Sequence, residues 1–284
     1  ELLQIYAMRE VLSFEVSKKK EYLKSELEKF VKDFDFKDTH DQSLVTQELF
    51  DDMLSGKLMD RLLIGDVGFG KTELAMRVAF LAVKMGLQVA VLAPTTILVE
   101  QHGAVFRKRF KNCGFKIENL SRFLSASEKK QKLQKLENGE VDIIIGTHSL
   151  LYNTVRFKNL GLIVIDEEQK FGVKQKEKLK QKRLQSHVLS MSATPIPRSL
   201  GMSLSGIRDI STLFSPPEGR RAILNRFGSF DWDVVKEAIA FEVKRKGQVY
   251  FSHNKVFDIS FVEKKLNEMF PLLNIAVLHG QMKS

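Results

Sequence analysis

Residues Gly65-Asp66-Val67-Gly68-Phe69-Gly70-Lys71-Thr72 satisfy the phosphate-loop pattern G-x-x-x-x-G-K-[ST] at every required position. The pattern restricts the fold, because such a loop works only between a buried strand and a helix N-terminus. Both flanks conform. Arg61 to Ile64 is a short, largely apolar run, and Ala75, Val78, Ala79, Ala82 and Val83 recur at helical spacing. Consecutive N–H groups of such a turn point inward, and the helix dipole adds partial positive charge at the same place. Gly68 and Gly70 let the backbone wrap close to phosphate with no Cβ in the way. Lys71 is then expected to reach the β- and γ-phosphates, and the Thr72 hydroxyl to ligate Mg²⁺. The stretch from Asp66 through Val67, Gly68, Phe69 and Gly70 completes the expected triphosphate cradle.

From Asp60 onward, apolar runs alternate with helical stretches. Strand candidates are 61–64, 88–92, 142–145, 162–165 and 187–191. Their near-continuous apolar character suits strands buried on both faces of a parallel sheet. Strands spaced by helices predict a doubly wound α/β sheet, with ligands gathered at the strands' C-terminal ends. Ahead of it, residues 1–34 read as a charged helical segment packed on the main domain through Leu23, Leu27, Phe30, Val31 and Phe34. A second helix is expected from Ser43, capped by Thr39 or Asp41, carrying Leu44, Val45, Leu49 and Met53. The stretch FSPPEGRR marks a linker over 214–222, separating a first domain (35–213) from a partial second one (223–284). That second part reads as helix 234–243, strand 248–251, helix 259–270 and strand 275–278. The chain opens on Glu1 and stops just after a strand-like run, as expected of a piece of something longer.

Composition narrows the partners. The net charge of +10 suits a polyanion such as nucleic acid, or simply serves solubility. A single cysteine, Cys113, rules out an internal disulfide, and no histidine or cysteine spacing suggests zinc. No membrane partner is expected, since no apolar run approaches the length of a span.

Two further motifs follow the loop in order. Asp166-Glu167-Glu168-Gln169 comes directly after an apolar run, where Asp166 is expected to hold the metal and Glu167 to activate the hydrolytic water. Ser192-Ala193-Thr194 follows the next strand candidate and offers small hydrogen-bonding groups between the acids and a moving partner domain. Thr95-Thr96 and Gly146-Thr147-His148-Ser149 sit at two more strand ends, as ordinary turn residues or as groups suited to a phosphodiester backbone. The run Lys174 to Arg183 reads as a solvated helix face that can add phosphate contacts.

The longer strings MDRLLIGDVGFGKTELAMR, APTTILVEQH, DEEQKFGVKQKEKLK, SATPIPRSL, SGIRDIS and VLHGQM make the chain resemble superfamily 2 DNA translocases of the Mfd/RecG group. ELLQIYAMRE, DFKDTHDQ and GDVGFGKTELAMR lie closer to the Mfd branch, and the similarity covers nearly the whole chain. The resemblance implies a RecA-like first domain that uses ATP and Mg²⁺ to move on double-stranded DNA in the bacterial cytoplasm. In the Mfd branch the complete protein displaces stalled RNA polymerase and recruits nucleotide-excision-repair proteins through regions outside this segment. In the RecG branch it remodels branched DNA. Phe36 and Gln42 resemble the adenine-recognising motif; Gln169, Ser192, Ala193, Thr194 and Arg198 the coupling residues; and Thr95, Thr96, Gln101, His102, Thr147 and His148 the DNA contacts. Gln169 departs from the histidine common at its position, so it can bridge by hydrogen bonds without carrying charge.

A GTPase reading needs NKxD, and Phe257 stands where that motif's acid belongs. A vestigial site is the other reading, opposed by the presence of Lys71, Thr72, Asp166 and Glu167. The resemblance also places the γ-phosphate-completing arginine in second-domain motifs absent from this sequence. ATP binding with weak turnover is therefore expected of the 284-residue chain. DNA-stimulated hydrolysis at the rate of a complete enzyme, in a steady-state phosphate-release assay, contradicts that expectation.

Overall fold

A computed structural model of the chain describes residues 20–152, 154–193, 208–220 and 225–282. The chain divides into two compact units, Glu1–Arg221 and Ala222–Ser284. In the first, seven strands form one all-parallel sheet: β1 (Asp60–Gly65), β2 (Gln88–Leu92), β3 (Ile117–Leu120), β4 (Ile143–Gly146), β5 (Leu160–Asp166), β6 (His187–Ser192) and β7 (Asp209–Leu213). Their order across the sheet is β3-β4-β2-β5-β6-β1-β7. The described helices of this unit are α1 (Lys20–Lys32), α2 (His40–Leu54), α3 (Lys71–Lys84), α4 (Thr96–Arg109), α5 (Ala126–Asn138) and α6 (Val173–Arg183).

The apolar runs of the central strands β2, β4, β5 and β6 are continuous because each feeds two cores. Leu162 and Val164 of β5 join a cluster with α1 to α4, while Ile163 and Ile165 point to the opposite face, with Leu136 of α5 and Leu179 of α6. That is the period-two alternation of a strand buried on both sides. α1 closes the first face: Phe30 stacks between Phe80 (4.5 Å) and Phe110 (5.3 Å), with the Arg109 guanidinium 3.8 Å from its ring. This is the packing expected of the N-terminal segment, for residues 20–32; residues 1–19 lie outside the described residues.

Several boundaries differ from the sequence expectation. α2 starts at His40 rather than Ser43, because Thr39 and Gln42 form a reciprocal capping box ahead of the apolar stripe. Asp41 caps nothing in α2; its carboxylate accepts from the N–H groups of Ser215 and Phe214 (2.8 Å each), which hold it below the usual carboxylate range. β3 and β7, the two edge strands, were not expected. β7 runs beside β1 with Leu213 opposite Gly65, so close that a Cβ on Gly65 would meet Leu213 at 2.9 Å. The first glycine of the loop is thus required by sheet packing.

The second unit holds α7 (Trp232–Lys244) and α8 (Ile259–Met269) around Ile239, Val262 and Leu266. The strands expected over 248–251 and 275–278 are not formed. Phe251 and Ile275 pack against this small core, and Phe251 stacks on Trp232 at 6.1 Å, but neither run belongs to a hydrogen-bonded ladder.

Candidate nucleotide site and its neighbours

The phosphate loop leaves the C-terminal end of β1 and enters α3 through two left-handed glycines, Gly68 (φ 80°) and Gly70 (φ 86°). Side chains there would be strained, and a Cβ on Gly70 would run into the Gln42 amide. Gln42 is buried and ties the loop down. Its Nε2 donates to the Phe69 carbonyl (2.9 Å), and its Oε1 accepts from the Thr39 N–H (3.0 Å). One N–H and one lone pair of that amide remain for a base edge. Phe36, its expected companion, is exposed, with its ring 5.4 Å from that of Phe34.

Lys71 turns back over the loop and donates to the carbonyls of Gly65 and Asp66. Burial holds its pKa below the usual lysine value, and the nearby Glu167 and Asp166 carboxylates offset only part of that shift. The expected catalytic lysine and both acids therefore share one electrostatic site. Arg220, from the FSPPEGRR stretch, lies across the same loop. It donates to the Val67 carbonyl and to Asp66 Oδ2 (3.2 Å), with its guanidinium 4.7 Å from the Phe69 ring centroid. Nothing in the linker reading of that stretch pointed to this contact.

Asp166 closes β5. Glu167 follows in the left-handed region (φ 52°, ψ 57°), a conformation that costs a non-glycine residue about 1–2 kcal/mol. The surroundings hold it there: its N–H donates to the Met191 carbonyl (3.0 Å), and its carboxylate accepts from the Ala193 N–H (3.2 Å) and from the Gln169 amide. The Ser192 hydroxyl donates to Gln169 Oε1 at 3.4 Å. Four of the expected acid and coupling residues thus form one hydrogen-bonded group. Thr194 and Arg198 lie outside the described residues.

Glu168 was given no role from sequence, yet it anchors the acidic segment to the sheet. It pairs with Arg183 (2.7 Å) and Arg208 (3.2 Å) and accepts from the Ser190 hydroxyl (2.9 Å); both arginines also face Asp60. Burial pushes its carboxyl up, but Arg183, Arg208 and Ser190 together take it down to about 2. A carboxyl depressed from 4.5 in this way adds stability above its unfolded pKa and loses it as pH falls through the folded value. Acidification from about pH 4.5 to about pH 2 is expected to remove about 3 kcal/mol through this group. Urea midpoints measured across that window should show the loss, and Glu168→Gln should lack this component.

The expected DNA contacts divide. Thr95 is exposed and caps α4 by accepting from the Leu98 N–H (3.3 Å); Gln101 is also exposed, and Thr96, Thr147 and His148 are half-buried. His102 is buried instead, with Nε2 2.9 Å from Asp166 Oδ2, beside the acidic segment rather than on the outer surface. The basic run also splits: Lys178 stands 3.7 Å from the Tyr152 ring centroid, Lys182 packs over Phe157, and Arg183 turns inward to Glu168.

Phosphate loop, paired acids and hydroxyl segment at the C-terminal edge of a parallel, doubly wound sheet define a RecA-like P-loop nucleotide-binding protein. Residues 42–202 match the family described as DEAD/DEAH box helicase, and the chain belongs to that family. It is 48% identical over its whole length to the transcription-repair-coupling factor of Haemophilus influenzae and 46% identical to that of Escherichia coli (strain K12). It spans about a quarter (24%) of the length of each. A solved structure of RecG bound to a three-way DNA junction superposes with a TM-score of 0.71 and 31% identity, covering 94% of this chain and 37% of that one. Among the described residues, no helix is long and apolar enough to cross a membrane.

Proposed function

We infer that the chain is the ATP-site module of a duplex-DNA translocase that, within a longer protein, displaces stalled RNA polymerase during DNA repair. The observation that carries this is the convergence of Lys71, Asp166 and Glu167, with Glu167 tied through Gln169 to Ser192. A triphosphate suits this cradle, since Gly68 and Gly70 hold left-handed backbone at a helix N-terminus, where bare N–H groups can wrap phosphate. Among the described residues no cluster of three acids, histidines or cysteines could hold an ion by itself. Thr72 and Asp166 would therefore hold Mg²⁺ together with phosphate oxygens, as suits that ion's preference. When bound, magnesium would supply charge neutralisation along the triphosphate. Lys71 adds a movable cation, Glu167 orients and deprotonates water, and Gln169 with the Ala193 N–H fixes the direction in which Glu167 points.

The repair-coupling reading rests on the 48% and 46% identities to transcription-repair-coupling factors. Remodelling of branched DNA is the second reading, favoured by the likeness to junction-bound RecG at 31% identity. Fluorescence anisotropy with a labelled random-sequence duplex and a three-way junction tests both. The first reading expects binding to the plain duplex, weakening with salt at a log–log slope of about −0.9 per phosphate contact. Binding confined to the junction favours the second reading, and binding to neither overturns both.

A further inference from the structure

We propose that His102 is a positioning residue that carries the state of the α4 N-terminus to the carboxylate of Asp166. This rests on reading Thr95 and Thr96 as duplex contacts and Asp166 as the metal-holding acid. α4 begins directly after β2, and β2 pairs with β5 through Leu92 and Ile165, so the start of α4 and Asp166 lie at neighbouring strand ends. His102 lies two turns into α4, buried, with Nε2 2.9 Å from Asp166 Oδ2. An ionised carboxylate only accepts, so Nε2 carries the proton and donates. That bond fixes which way the Asp166 oxygens face, as outer hydrogen bonds do for carboxylate metal ligands.

The middle of α4 is held at the same level. Gly103 packs so tightly on the Asn119 side chain that no Cβ fits. Asn119 Nδ2 donates to Glu100 Oε2 (2.8 Å) and lies 3.4 Å from the Val99 carbonyl, while Arg107 donates to Asn119 Oδ1 (3.1 Å). Helix and edge strand β3 are thereby locked around Gly103. A shift imposed at Thr95 or Thr96 reaches His102, one residue before that lock, with little slack to absorb it. Occupancy of the outer surface by a phosphodiester backbone thus changes how Asp166 presents itself to Mg²⁺.

The test uses the 284-residue chain, a fluorescent ATP analogue, Mg²⁺ and a short duplex. Nucleotide affinity is measured with and without duplex, and duplex affinity with and without MgATP; the two ratios must agree, because coupling between binding sites is reciprocal. Wild type is expected to show a ratio of about 5 or more. His102→Ala should bring that ratio close to one and raise the Mg²⁺ concentration needed for nucleotide binding by roughly tenfold. His102→Gln, which can still present an N–H to Asp166, should keep most of the coupling; His102→Asn, too short to reach, should lose it. The Gln/Asn pair decides the matter if the alanine variant does not fold. Coupling and Mg²⁺ requirement unchanged in Ala and Asn variants overturn the proposal. So does a wild type that binds nucleotide and duplex independently. Failure of wild type to bind either ligand instead overturns the functional reading beneath it.

Discussion

Lys71→Ala is expected to weaken MgATP binding by about 3 kcal/mol, roughly 100-fold, with little change in stability. The lysine is the one cation carried on the first turn of α3, and among the described residues it donates to the Gly65 and Asp66 carbonyls. Those carbonyls belong to a half-open loop, so removing their donor strands no buried charge. Triphosphate oxygens, by contrast, lose a charge-assisted donor at the point of highest negative charge. Calorimetric titration of wild type and variant checks the affinity, and a thermal melt checks the fold. Equal affinities would mean that the nucleotide, if bound, sits elsewhere.

Arg77→Ala should do the reverse, with a large loss of stability. Arg77 is 1% exposed and forks onto both oxygens of Asp38 (2.7 and 2.8 Å), with further bonds to Glu73 (3.2 Å) and Thr46 (2.8 Å). Glu73 keeps Arg109, but Asp38 loses its only described ionic partner. Removing one member of a buried pair costs about 3–5 kcal/mol, because the other charge is left desolvated. For a chain of this size that is a fall of about 10 °C in Tm. Asp38 lies between Phe36 and Gln42, so the segment that holds the loop from behind would loosen as well, and nucleotide affinity should fall with stability. Arg77→Met combined with Asp38→Leu should recover much of the stability, since no charge is then buried alone. A loss below about 1 kcal/mol for the alanine variant would show that the network is a surface-like ion pair, worth little.

What could be read from sequence was whatever is local. β1, the loop and α3 are contiguous, and their signals overlap within about two dozen residues. The buried strands declared themselves by apolar continuity, because β2, β4, β5 and β6 each supply both faces of the sheet. The edge strands did not. Glu118 and Asn119 in β3 and the half-buried alternation of β7 leave too little apolar signal in four or five residues. In the second unit the same signal misled: apolar runs at 248–251 and 275–278 have strand composition but no ladder.

Contacts across the chain were out of reach for another reason. His102 meets Asp166 across 64 residues and Arg220 meets the loop across 153, and no periodicity encodes such pairings. Thr39 was legible as a cap, whereas the second use of Gln42, as a tether on Phe69, was not. The acids show the same division. Their place after a strand pointed to metal and water, while Glu168 required knowing that Arg183 and Arg208 converge on it.

On the proposed function, Gly65 to Thr72 and Asp166-Glu167 form one magnesium-dependent ATP site. Calorimetric titration of the 284-residue chain with ATP and with GTP, each with and without Mg²⁺, tests it most directly. The expected result is a single site that prefers ATP through the free donor and acceptor of Gln42, and that is weakened by Asp166→Ala only when Mg²⁺ is present. No saturable binding of either nucleotide, or binding indifferent to Mg²⁺ and to Asp166→Ala, would show that these residues do not form such a site.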